Sequence, residues 1–166
     1  LIQLNSENQK LKKLKIYMSI ENERKFLIKE LPEDFNTYIK SDVKQWYLTK
    51  PFDNVSIRIR LYDDNRCYLD IKKGHGIIKE KIGKKCKFND IEKYTHNTYL
   101  LEKIRYKKHI DDYLIIIDFF DNGLKLVEIE SDNYDTIVNF KPLYWWGEEV
   151  TYDINYSNNM IAYNNM

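Results

Sequence analysis

A mainly β, α+β fold, built on a closed eight-stranded antiparallel barrel with peripheral helices, is predicted for this chain by three observations. First, six stretches alternate charged and apolar residues, and the charges in each keep one parity: Glu21, Glu23 and Lys25; Arg58 and Arg60; Lys72; Lys103 and Arg105; Asp118; Glu128 and Glu130. Residues i, i+2 and i+4 of a strand share a face, so every stretch carries a charged face backed by an apolar one. Second, turn-forming runs separate the stretches: Asp63-Asp64-Asn65, Asp111-Asp112 and Asp121-Asn122-Gly123. Third, the charged faces hold Glu, Arg and Lys but few of the Ser, Thr and Gln of a merely wet surface. A ring of strands uses both parities, with charges facing a lumen and apolar residues lying beneath helices, and closure removes the sheet edges.

Each element follows in order. Residues 1–17 carry four lysines and one glutamate among scattered Leu and Ile. They read as an N-terminal extension or vector-derived segment ahead of one domain over 18–166, with Met18 resembling a natural start. A strand begins at Ile20. Pro32-Glu33-Asp34 suits a helix N-terminus, which predicts a short helix to about Val43. Strands are expected over 45–49, 55–62, 67–73 and 77–82, with Gly74-His75-Gly76 as a loop that matches no phosphate-cradling spacing. Asn89 is placed to cap a helix reaching about Leu101. A hairpin over 102–110 and 113–120 leads into a strand over 125–130 and a short helix from Asp132-Asn133 to about Phe140. The tail from Trp145 has turn chemistry and ends in a helix from Tyr156. The outer face is assigned to Ile57, Ile59, Leu69, Ile71, Ile104, Ile115, Ile117, Val127 and Ile129.

Composition narrows the function. With 27 basic and 26 acidic side chains in 166 residues the net charge is +1, so no global field points to nucleic acid or a membrane. Cys67 and Cys86 stand apart without a CxxC, and His75, His96 and His109 lack metal-ligand spacing, which argues against a disulfide or a zinc site. No apolar run spans a bilayer and no signal-peptide core is visible, so a cytoplasmic protein is expected.

The lumen charges state what they need. Like charges about 4 Å apart repel by roughly 4 kcal/mol at an effective dielectric near 20, so each cluster requires neutralisation and losing one charge should leave the fold intact. Mg2+ or Mn2+ suits the carboxylates, and a polyphosphate suits a ring of Arg and Lys.

With these residues in place, the sequence resembles the CYTH superfamily of triphosphate tunnel metalloenzymes in its short bacterial-type form, across residues 18–163. Glu21-Asn22-Glu23-Arg24-Lys25 matches ExExK, Arg58-Ile59-Arg60 the RxR strand, and Lys72 the lysine that follows. Glu102-Lys103-Ile104-Arg105-Tyr106 matches EKxRY, Asp118 the lone aspartate, and Glu128-Ile129-Glu130 the late ExE. Gln45-Trp46-Tyr47-Leu48 resembles QGYL, and Trp146-Gly147-Glu148-Glu149-Val150-Thr151 with Asp153 and Tyr156 resembles the closing GxEVTxDxxY.

The resemblance implies that Lys25, Arg58, Arg60, Lys72, Lys103 and Arg105 hold phosphate oxygens. It implies that Glu21, Glu23, Asp118, Glu128 and Glu130 bind one or two ions, and that Lys25, Glu80, Asp118, Glu128 and Glu130 serve catalysis. Ile154 and Asn155 stand where a basic pair is common, and Ile82 where a second Glu is common. The implied activity is metal-dependent hydrolysis of inorganic triphosphate, a small-molecule partner, and a homodimer is left open. An adenylyl cyclase of class IV type, a nucleoside or thiamine triphosphatase, and a non-catalytic polyphosphate-binding module are the alternatives.

Overall fold

The alternating stretches become strands because their β-branched and aromatic residues fit a pleated surface, and they close because the first strand is long enough to reach two partners. A computed structural model describes residues 16–165. It contains β1 (Ile16–Ile28), β2 (Ile39–Tyr47), β3 (Val55–Tyr62), β4 (Cys67–Lys73), β5 (Ile78–Cys86), β6 (Tyr99–Ile110), β7 (Tyr113–Phe120), β8 (Lys125–Ser131) and β9 (Trp146–Glu149). The ring runs β5-β4-β3-β2-β6-β7-β8-β1 with every pairing antiparallel, and β1 returns to β5 to shut it. The first half of β1, Ile16 to Asn22, pairs with β5, and Asn22 to Leu27 pairs with β8. The predicted eight-stranded barrel is therefore present, with β9 added beside β1 at Phe26 and Ile28.

Register carries the parity around the ring. Arg58 lies opposite Tyr47 and Asp70, Arg105 opposite Asp118, Lys25 opposite Glu128, and Glu23 opposite Glu130. All of these face the lumen. On the outside, Ile115, Ile117, Val127, Ile129 and Phe26 pack under Ile137, Trp145 and Trp146. Ile137 belongs to α2 (Tyr134–Asn139), which follows the short α1 (Phe88–Ile91); the Asn133 side chain caps α2 by accepting from the Asp135 and Thr136 amides. One end of the lumen is apolar: Tyr47, Leu101, Phe120 and Leu126 meet Ile161 and Ala162 of α3 (Asn158–Asn164).

Several expectations are corrected. The segment read as helix to Val43 forms only a 3-10 turn at Phe35–Thr37 before β2 begins, because pairing of β2 with β3 and β6 outweighs the local helix-start signal. The predicted helix from Asn89 shrinks to α1 and a 3-10 turn at Glu92–Tyr94. Residues 146–149 form a strand rather than a turn. The outer residue Ile71 is exposed, not covered by a helix. Cys67 and Cys86 do not stand apart: they face each other in the β4–β5 register with Sγ atoms 3.5 Å apart, as free thiols. Of the segment read as an extension, Ile16 and Tyr17 open β1 and residues 1–15 lie outside the described residues. Among the described residues no helix is long and apolar enough to cross a membrane.

Candidate active site

The arginine layer is built from a gap. Gly83 faces the lumen opposite Tyr17 and Asp70, and a Cβ there would overlap the Tyr17 ring. The missing side chain lets that ring lie inside the barrel, where its hydroxyl donates to Asp70 Oδ1 at 2.7 Å. Asp70 Oδ2 accepts from Arg60 Nη2 at 2.6 Å and from Arg58 Nε and Nη2 at 3.4 Å each. Burial favours the neutral acid, yet Arg58 and Arg60 outweigh it and keep the Asp70 carboxyl below its ordinary pKa. Arg60 also lies over the Tyr62 and Tyr68 rings at 5.5 and 5.7 Å, while its Nε is a buried donor without an acceptor. An unused buried donor costs about 1–3 kcal/mol, which an incoming anion would relieve.

A second group forms a closed knot. Asp118 accepts from Arg105 Nε at 2.6 Å on one oxygen, and from Lys103 Nζ at 2.7 Å and Arg105 Nη2 at 2.5 Å on the other. Glu128 lies 3.0 Å from Lys25 Nζ and 3.2 Å from Arg105 Nη2. Lys25 also donates to the Tyr156 carbonyl at 3.0 Å, and Lys103 to Asn158 Oδ1 at 2.8 Å. Burial and the neighbouring Arg105 push the Lys103 ammonium down to about 7. Burial alone would depress Lys25 as well, but Glu128 and Glu23 hold it above the ordinary lysine value.

A third group gathers carboxylates. Glu21, Glu23 and Glu130 place oxygens within 4.8 Å of one another. Lys72 Nζ lies 2.5 Å from Glu21 and 3.5 Å from Glu23, Lys81 donates to Glu21 at 2.7 Å, and Lys79 donates to Glu23. These lysines overcome burial and hold Glu23 down to about 2 and Glu21 lower still. Burial presses Lys79 and Lys81 below the ordinary lysine value. Glu130 has no ion-pair partner among the described residues, and burial together with Glu23 raises its carboxyl. Three converging hard oxygens, one without a counter-charge, fit a hard divalent cation in donor type.

The second and third groups share a cavity of about 980 Å³ with the arginine layer. Lys25, Arg58, Arg60, Lys72, Arg105, Glu21, Glu23, Glu128 and Glu130 line it. Three sequence expectations meet a different placement here. Glu80 is exposed on the outer face, opposite Ile20 and Lys73 in register, and cannot join the lumen groups. Lys103 and Asp118 are buried behind the cavity wall, so the geometry gives Lys103 no direct access to a ligand. Asp118 and Glu128, each held by two cations, stand outside the three converging carboxylates.

The sequence reading passed over Tyr17, Asp70, Lys79, Lys81 and Lys107, all but Asp70 on the cavity wall. Strand parity carried the signal for most of them. Asp70 shares a face with Lys72, while Ile78 and Ile82 share the outer face with Glu80 and leave Lys79 and Lys81 inward.

No family model matches the chain. An inorganic triphosphatase of Nitrosomonas europaea is 30% identical over 148 residues, spanning 86% of this chain and 96% of that protein. A crystal structure of an inorganic triphosphatase superposes with a TM-score of 0.60 at 30% identity, covering 86% of this chain and 93% of the other. A structure of a putative adenylate cyclase from Vibrio parahaemolyticus shares the fold, with a TM-score of 0.54, 16% identity, and 72% and 81% of the two chains covered.

Proposed function

The chain belongs to the inorganic triphosphatase family, and on that premise we propose that it hydrolyses inorganic triphosphate to pyrophosphate and phosphate inside its barrel, as a CYTH-type tunnel enzyme using Mg2+ or Mn2+. One observation carries the reading: a single cavity presents Arg58, Arg60, Arg105, Lys25 and Lys72 together with three convergent carboxylates.

The guanidiniums bind the phosphate chain bidentately, and Asp70 fixes the two on β3 before substrate arrives. Arg105, held by Asp118 and Glu128, keeps its orientation as negative charge builds on the transferred phosphoryl group, so little reorganisation is needed. Glu21, Glu23 and Glu130 would hold the divalent ion, which would supply Lewis-acid polarisation of phosphoryl oxygens. Lys72, Lys79 and Lys81 neutralise Glu21 and Glu23. They also line the cavity, where their ammonium groups are placed to meet substrate oxygens.

Phosphate release from inorganic triphosphate, measured with Mg2+, with Mn2+ and with chelator, tests the proposal. Metal-dependent release supports it. Binding without turnover refutes hydrolysis, and cyclic AMP with pyrophosphate formed from ATP assigns the same cavity to cyclisation.

A further inference from the structure

The β4–β5 hairpin carries both cysteines of the chain at its open end. Cys67 is the first residue of β4 and Cys86 the last of β5; they are register partners, with Sγ atoms 3.5 Å apart. Directly opposed residues of an antiparallel pair hold their Cα atoms about 4.5–5.5 Å apart, inside the span a disulfide needs. The two thiols are unequal. Cys67 shares the outward parity of Leu69 and Ile71, yet it is fully buried, whereas Cys86 is half-buried. Phe88, two residues beyond Cys86, stacks on the outward-facing Trp46 of β2 with ring centroids 5.2 Å apart. The chain leaving β5 thus crosses the outside of β4 and β3, the strands that hold Cys67 and the equally shielded Ile59. Burial pushes the Cys67 thiol up to about 12. Cys86 instead sits among the exposed Lys84, Lys85 and Lys87, whose charge draws an anionic reagent toward its sulfur.

We propose that Cys67 and Cys86 form a reversible disulfide that locks this hairpin, by exchange with an anionic low-molecular-weight disulfide, RSSR, with Cys86 attacking and Cys67 resolving. The Cys86 thiolate attacks one sulfur of RSSR and expels RS−, which leaves a mixed disulfide on Cys86. Cys67 then attacks the Cys86 sulfur and expels the second RS−, its proton passing to the departing thiolate. Two protein thiols are oxidised and one RSSR is reduced to two RSH. A dithiol reverses both steps. The new bond closes a ring over residues 67–86, which contains Asp70, Lys72, Lys79 and Lys81. Those four have the opposite parity and face the lumen, so the bond fixes their strands without entering the cavity.

Incubation of the native full chain with oxidised glutathione, followed by intact mass and thiol titration, tests the proposal. The wild type is expected to lose two hydrogens and both titratable thiols with no lasting adduct. It should then melt about 5–10 °C higher until dithiothreitol returns it to the starting midpoint. C67S should stop at one glutathionyl adduct on Cys86, and C86S should react at least tenfold more slowly, since Cys67 is shielded. In urea, where shielding is lost, the two variants should react alike. Acid quenching of the wild type and peptide mapping locate the first adduct independently of how the variants fold, and it is expected on Cys86. A native wild type that keeps both thiols, stops at a mixed disulfide, cross-links between chains or melts no higher when oxidised overturns the proposal. A first adduct on Cys67 overturns it equally. None of these readouts depends on turnover of triphosphate.

Discussion

The Asp118 knot and the glutamate cluster share the same lumen and the same strand parity, yet they differ in how their charges are met. In the knot each carboxylate is held by two cations at hydrogen-bonding or ion-pair distance. In the cluster three carboxylates crowd together, three lysines serve two of them, and Glu130 is left over. Internal balance makes the first a scaffold. Imbalance would leave the second, on the proposed function, ready to exchange partners with an ion and a polyanion.

Replacing Asp118 should break the comparison most severely. D118N leaves Lys103 buried without its counter-ion and Arg105 with Glu128 alone, a loss of about 3–5 kcal/mol, or about 10 °C in the thermal midpoint. The same reasoning revises the expectation that removing any lumen charge spares the fold, since E128Q strips Lys25 and Arg105 of a partner. E23Q, in the unbalanced group, should lose turnover by about 10²–10³-fold at saturating triphosphate. D70N removes the anchor of Arg58 and Arg60 and should cost about tenfold in kcat/KM, with recovery in D70E, read from initial rates.

Protons sharpen the contrast because the two signs oppose each other. Asp118, Glu23 and Glu128 titrate below their ordinary values, so the unfolded chain binds more protons in acid. Their stabilisation is complete above about 4.5 and fades as pH falls toward 2, which urea midpoints across that window should follow. Glu130 titrates high, so its contribution is present in acid and is lost as pH rises through its raised value. Without metal, E130Q should accordingly raise the midpoint at neutral pH where E128Q lowers it. The smallest effect is expected from K79M: Glu23 loses a competing ammonium, and the metal concentration giving half-maximal activity should fall severalfold.

Much of this was legible beforehand. The period-two alternation of 55–62, 67–73 and 113–120 fixed strands and faces, because one side chain in two must meet the same surroundings whatever the loops do. The helix-start signals at Pro32 and Asn89 misled because they are local, whereas β2 and β6 gain pairing along their whole length from distant partners. Glu80 was chosen by its charge, against the parity of Ile78 and Ile82 beside it. The division of the acids into paired and unpaired groups was not readable, since Lys79, Lys81 and Gly83 acquire meaning only once β1 lies across β5.

That seam has a kinetic side. β1 is made first, yet its inward residues find their neighbours only when β5 and then β8 have emerged. Contacts so distant in the chain are slow to form, because the intervening loop must be closed before anything is gained. No nascent or truncated chain that stops short of β8 contains Glu128 or Glu130, so hydrolytic competence should appear late in synthesis and in a single step, when the ring shuts.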